Sequence, residues 1–217
     1  MCQLLTLLLS RGIGRQVLRR VVAKAWATGG SLEDVRDRLR SQAGISFASK
    51  DDVSADLKAI SRLGLRVIGL CDADYPQLLA AIPDPPVALF LRGHIGALAR
   101  PINVAIVGSR RASAQGCQFA RALAADVGRA GFGVVSGLAV GIDGAAHRGA
   151  IDVSAFTIAV VGGGHLRTYP SRHQSLAAEI VNAGGAVVSE YPPTLGPRRA
   201  HFPERNRIIS GLVAGVV

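Results

Sequence analysis

From residue 102 onward the chain alternates short, predominantly apolar runs with helical ones, and that alternation restricts the fold more than any other feature of the sequence. The apolar runs INVAIVG, FGVVSG, TIAVVGGG and AVVSE are too short for helices and carry no polar residue at every second position, so each reads as a strand covered on both faces. Between and after them come helical stretches: AQGCQFARALAADVGRAG, GIDGAAHRGAI, SRHQSLAAEIVNAGG and PERNRIISGL. Strands and helices in strict succession predict an α/β, Rossmann-like, doubly wound and mostly parallel sheet. The closing LVAGVV reads as the start of one more strand, with the C-terminal part of the fold expected to be truncated there.

The preceding third of the chain has a different pattern. Leu4, Leu5, Leu8 and Leu9 recur at helical spacing, Gly12-Ile13-Gly14 interrupts, and Val17, Leu18, Val21 and Val22 resume it. Ser31 and Asp34 form an S-x-x-D helix start, and DVSADLKAISRLG is a further short helix closed by Gly64. Residues 1–66 are therefore expected to form a small all-helical domain with Trp26 in its core. Its G-I-G turn resembles a helix-hairpin-helix, whose amides meet a nucleic-acid phosphate; an ordinary interhelix turn is the simpler account. Residues 67–217 form the α/β unit, with 67–101 as a lead-in containing strand candidates at 65–70 and 87–91. Pro76, Pro83, Pro85 and Pro86 exclude a long helix between them.

Composition narrows the function classes. The net charge is +10 and only Lys24, Lys50 and Lys58 are lysines, so the positive charge is almost all arginine, the residue suited to bidentate phosphate contacts. A polyanion partner and a general preference for arginine codons explain this equally well. Cys2, Cys71 and Cys117 are few and far apart, with no C-x-x-C spacing, and His94, His147, His165, His173 and His201 show no H-E-x-x-H pattern. Neither disulfide framework nor metal site is expected. The apolar opening lacks a basic n-region and a cleavage site, and no run reaches the ~18 apolar residues of a membrane helix. A soluble, cytoplasmic protein without membrane contact is the expectation.

In open α/β sheets the ligand sits beyond the carboxyl ends of the strands. Here those ends read Gly108-Ser109-Arg110, Ser136-Gly137-Leu138-Ala139, Gly162-Gly163-Gly164 and Ser189-Glu190. Gly and Ser also make ordinary turns, but Arg110 and Arg111 stand where a dinucleotide fingerprint would place glycine. Guanidinium forks there fill the space of a pyrophosphate, and no acidic residue ends the second strand to hold a ribose. The reading is a site for backbone phosphates taken one at a time, with no cofactor.

The segments VAIVGSRRASAQG, VVSGLAVGIDGAAHRGAI, TIAVVGGGHLRTYPSRHQSL, VVSEYPP and HFPERNRIISGL, in this order and spacing, resemble the DNA-processing protein A (DprA/Smf) family. CDADYPQLLAAIPDPPVALFLRG resembles the lead-in before that family's Rossmann-like domain, and residues 1–66 sit where many members carry a SAM-like or helix-hairpin-helix module. The resemblance implies a protein of natural transformation and recombination that binds and protects single-stranded DNA and loads RecA, commonly as a homodimer and without catalytic turnover. It implies that Ser109 and Arg110, beside Gly108 and Arg111, match the family's G-S-R phosphate contact. Ser136 and Gly137 match its S-G-L-A turn, Gly162, Gly163 and Gly164 its G-x-G, and Arg205, Asn206 and Arg207 its R-N-R. Two departures stand out. Many members have a lysine after Y-P, where this chain has Ser171-Arg172-His173, leaving Arg172 as a displaced substitute. A C-terminal winged-helix-like module is expected to be missing, and with it a surface for pairing or for holding RecA.

Rival readings attach to other residues. Asp143 and His147 lie one helical turn apart and with Ser136 sketch a hydrolase triad, but Ser136 lacks a G-x-S-x-G elbow, and capping explains Asp143. Tyr169, Tyr191 and Phe202 either stack on bases or pack against loops, with packing favoured for Tyr191. Arg198-Arg199 lean towards a second phosphate contact. The alternative function is a nucleotide-processing enzyme, a LOG-like nucleoside-monophosphate phosphoribohydrolase with Glu190 as base, although VVGGGHLRTYP lacks the expected P-G-G-x-G-T-x-x-E run. An interaction scaffold that binds RecA and barely touches DNA is a third.

Overall fold

The computed structural model of the chain describes residues 1–40, 44–98 and 102–217. Residues 99–101, the end of the expected lead-in, lie outside the described residues. Four helices come first: α1 (Cys2–Leu9), α2 (Arg15–Ala27), α3 (Leu32–Arg40) and α4 (Lys50–Leu63). Their ends follow from local chemistry. Ser31 and Asp34 exchange hydrogen bonds at the start of α3, and Ser49 and Asp52 form a full capping box on α4. Gly64 then ends α4 at φ 60, a left-handed position that favours glycine.

A hairpin of β1 (Arg66–Gly69) and β2 (Ala88–Gly93) follows, with the single-turn α5 (Gln77–Ala80) between its strands. The alternation read from the sequence then appears as β3 (Asn103–Ala105), α6 (Ala114–Arg129), β4 (Gly133–Ser136), α7 (Ile142–Asp152), β5 (Thr157–Val160), α8 (Gln174–Asn182), β6 (Ala186–Ser189), α9 (His201–Gly211) and β7 (Gly215–Val216). The strands form one seven-stranded sheet in the order β1-β2-β6-β5-β4-β3-β7, parallel from β6 to β7 and antiparallel where β2 meets β6 and β1. The hairpin on the far edge of the parallel sheet is the part of the topology that periodicity did not announce.

Successive residues of each strand serve opposite faces, which is why the runs are apolar throughout. Ala105, Val135, Ile158, Val160 and Val188 pack with Ile208, Ile209 and Leu79 from α9 and α5. On the other face Ile106 and Val134 meet Ala120, Ala124, Ala146 and Ala150, small residues that let α6 and α7 lie close to the sheet. Ala159 and Val187 meet Leu176 and Ile180 of α8.

The helical module is packed onto this unit. Phe90 of β2 is fully buried against Leu5 and Val53, a burial that contributes roughly 1.5–3 kcal/mol. Trp26 packs at the edge of a cluster that joins Leu4, Val22 and Val35 to Val87 and Ala88. Asp56 of α4, also fully buried, accepts both the amide and the hydroxyl of Thr194 at 2.8 Å. Among the described residues no helix is long and apolar enough to cross a membrane.

Candidate nucleic-acid interface

From β3 the sheet grows through β4 and β5 to β6, after which the chain returns to add β7 on the other side of β3. The strand order reverses at β3, and in such sheets the crevice opens beyond the carboxyl ends of the strands at that point. A cavity of about 570 Å³ lies there, lined by Gly108, Arg110, Asp143, Arg205, Asn206 and Arg207 among others. A second of about 70 Å³ shares Arg110 and Arg205 and adds Gly137, Tyr169, Arg172 and Phe202. Residues far apart in sequence thus surround one pair of guanidinium groups.

Arg110 is exposed in the loop between β3 and α6; its guanidinium carbon stands 5.1 Å from the centroid of the Phe202 ring. Phe202 is in turn 5.3 Å from the Tyr169 ring, which is 51% exposed. Arg205, on the buried side of α9, donates from Nη1 to the Val160 carbonyl at the end of β5. Its guanidinium rests against Gly137, where any Cβ would overlap it. Burial lowers the Arg205 pKa to about 10; the Asp143 carboxylate opposes that shift and Arg110 adds to it. The group stays charged at neutral pH and leaves a positive field in the crevice.

Asp143, in the first turn of α7, makes no capping hydrogen bond there, contrary to the capping expected of it. Its Oδ1 accepts the Gly108 amide at 3.3 Å, and its Oδ2 accepts those of Gly137 at 3.1 Å and Ala139 at 3.4 Å. The Gly108 and Gly137 amides, expected to meet a ligand phosphate, are therefore already satisfied by an internal carboxylate. Cationic side chains, rather than main-chain amides, are what the crevice offers an anion.

Other expected site residues are placed differently. Ser136 is fully buried and its hydroxyl donates to the Ile106 carbonyl at 2.6 Å. Gly163 packs on Pro197, and Gly164 lies against the carbonyls of Pro192 and Pro193, so both serve close approach of the 192–197 loop. Gly162 faces Phe202 and His201. None of these four opens on either cavity. Ser109 and Arg111 are exposed and line neither cavity, the Ser109 hydroxyl accepting the Arg111 amide at 3.0 Å. Arg172 joins the smaller cavity, while Arg198 and Arg199 are exposed and line neither.

Arg207 reaches the crevice but is heavily engaged. Its Nε donates to Asp84 at 3.1 Å and its Nη2 to Glu190 at 2.5 Å. Burial pushes the Glu190 carboxyl up from its ordinary range, and Arg207 pulls it back down. No local pattern marks Asp84, which sits among prolines in the lead-in. The helix-hairpin-helix reading meets acidic groups as well: Gly14 and Arg15 line a cavity with Glu190 and Glu204, an unfavourable place for a phosphate.

The triad sketch has no geometry behind it. His147 is fully buried with Nδ1 2.7 Å from the Thr157 hydroxyl, which itself donates to the Val134 carbonyl. Burial lowers its pKa to about 3. Tyr191 packs within the fold as expected, its ring stacked 4.0 Å from that of His201. Among the described residues no His, Cys, Asp or Glu cluster could hold a metal ion.

A model of the family described as DNA recombination-mediator protein A matches residues 66–217. The chain belongs to that family. Among relatives of this recombination-mediator family, Protein Smf of Escherichia coli is 45% identical over 143 residues, covering 66% of this chain and 38% of its own length. DNA processing protein DprA of Bacillus subtilis is 39% identical over 161 residues, 74% of this chain and 54% of its own. The chain thus spans about half or less of these two relatives. The X-ray structure of DprA from Streptococcus pneumoniae superposes with a TM-score of 0.79 at 31% identity, over 100% of this chain and 76% of that one. A Helicobacter pylori DprA structure, described for its single-stranded DNA binding mode, matches with a TM-score of 0.64 at 28% identity, over 72% of this chain and 69% of that one. The family resemblance drawn from the motifs is borne out, as is the mostly parallel α/β fold.

Proposed function

We propose that this chain binds single-stranded DNA in the strand-end crevice and acts without chemical turnover as a recombination mediator. The observation that carries the reading is the Arg110 and Arg205 pair, shared by two adjoining cavities, with the Asp143 carboxylate acting on Arg205. Two guanidinium groups beside an exposed aromatic step suit a strand whose phosphates and unstacked bases are both accessible. The single-stranded DNA binding mode of the H. pylori relative supports the same reading. Asn206 and Arg172 extend the polar and cationic lining, and the exposed Ser109 and Arg111 flank Arg110 in sequence. Protection of single strands, delivery to RecA, homodimerisation and a division into a helical part, 1–66, and a Rossmann-like part, 67–217, belong to this proposal.

Fluorescence anisotropy with labelled single- and double-stranded oligonucleotides across a salt series tests it. Each phosphate contact on a single strand contributes a slope of about −0.7 in log K against log salt. Arg110→Ala should weaken binding to all sequences alike and flatten the slope by about that amount. Wild-type binding by Arg110→Ala, or release of free base from nucleoside monophosphates by the native protein, would overturn the reading.

A further inference from the structure

Arg207 is held by carboxylates and also lines the crevice in which Arg110 and Arg205 stand. Asp84, one of those carboxylates, also takes Arg15 at 2.9 Å and lies 3.9 Å from Arg19, both on α2 of the helical module. Arg15 continues to Glu204 at 3.0 Å, and Glu204 accepts the Tyr191 hydroxyl at 3.0 Å. Contacts between charged groups thus run from the crevice to the helical module without a break. Arg207 and Asp84 are 18% and 17% exposed, so their ion pair lies between the weak surface kind and the fully buried kind.

A phosphate arriving beside Arg207 meets an arginine that is already neutralised. Nη1 is buried and has no hydrogen-bond partner among the described residues, while Nε and Nη2 are committed to Asp84 and Glu190. A phosphate would attract the guanidinium and repel both carboxylates. We propose that Arg207 is shared competitively between nucleic-acid phosphate and the Asp84 and Glu190 carboxylates, so that DNA in the crevice leaves Asp84 to Arg15 and Arg19 and tightens the docking of α2, and a docked α2 in turn favours DNA binding. This inference rests on the DNA reading of the crevice given above. The two effects are one coupling free energy seen from either site. The Asp56 contact to Thr194 and the apolar packing of Phe90 are independent of Arg207, so the response is local to α2 within a module that stays packed in either case.

Two measurements on the whole chain test the sharing. Hydrogen exchange of the α2 amides, with and without a labelled oligo-dT, should slow about fivefold on binding, the low end of ordinary coupling between sites. Unchanged or faster exchange overturns the inference. Asp84→Asn, nearly isosteric, should bind oligo-dT about fivefold tighter, with a salt slope steeper by about 0.7 from one added phosphate contact. That gain should vanish in an Arg207→Ala background; an equal gain there means that only general charge is at work and sinks the sharing. If Arg110→Ala binds like wild type, the DNA reading falls and takes this inference with it. If Arg110→Ala weakens binding while Asp84→Asn and the α2 exchange do not respond, the sharing alone falls.

Discussion

The Asp143 carboxylate accepts the Gly137 amide at 3.1 Å, from a residue on α7 to one just past β4, and through Gly108 it also ties down the end of β3. An internal anion thus occupies the main-chain donors that the strand ends would otherwise present to a ligand. It also stands near Arg205 and supports a guanidinium that burial destabilises.

Asp143→Ala leaves buried or half-buried amides without an acceptor and removes the charge that stabilises Arg205. Unsatisfied donors of this kind cost roughly 1–3 kcal/mol each. Urea denaturation should show a loss of at least that size, with Asp143→Asn intermediate because one oxygen remains to accept. A neutral Asp143→Ala would show that the amides find solvent instead.

Gly137→Ala and Gly164→Ala separate the site from its scaffold. A Cβ at position 137 overlaps the Arg205 guanidinium, whereas one at 164 overlaps the carbonyls of Pro192 and Pro193. Gly137→Ala should displace Arg205 and weaken oligonucleotide binding at modest thermal cost. Gly164→Ala has no flexible neighbour to yield, so it should lower the melting temperature markedly; overpacking of this kind costs about 1–3 kcal/mol or more. Equal thermal losses in the two variants would contradict this division.

Phe202 underlies Arg110 and adjoins the exposed Tyr169 ring. Tyr169→Ala should reduce affinity for single strands by an amount in the range of about 1–3 kcal/mol known for stacked bases, and leave the salt slope unchanged. Phe202→Ala should reduce affinity and also flatten the slope, since it removes both the ring and the support of Arg110. Anisotropy titrations at two salt concentrations read affinity and slope together.

His147 makes stability depend on acid. The imidazole is neutral in the fold with its pKa lowered to about 3, against an ordinary value of 6.5, so the unfolded chain binds the extra proton within that window. The contribution is complete above pH 6.5 and is lost as the pH falls towards 3. His165, lowered to about 4 by burial, acts in the same direction. His147→Gln should be less stable than wild type at pH 7.5 but lose less between pH 7 and 5, read from urea midpoints. Parallel curves for the two proteins would refute the assignment.

Helices and strands were legible because each depended on its own residues. The Ser31 and Asp34 start, the Gly64 stop and the four apolar runs are local signals, and each appears where its pattern placed it. Arg110 and Arg205 were legible through family motifs and meet in the crevice. Ser136, Gly163 and Gly164 were expected to face a ligand because strand ends favour small residues. Small residues also mark close packing, and nothing local distinguishes the two uses.

A parallel sheet flanked by helices and a cationic group beyond the carboxyl end of its first parallel strand could be read from the residues alone, because apolar periodicity and the residues after a strand are properties of neighbours along the chain. Which charges are engaged was settled by contacts across the fold. Asp143 claims the Gly108 amide across 35 residues, and Asp84 claims Arg207 across 123. Strand order brings those groups within hydrogen-bond distance, and strand order is a global outcome of burial that no short stretch encodes.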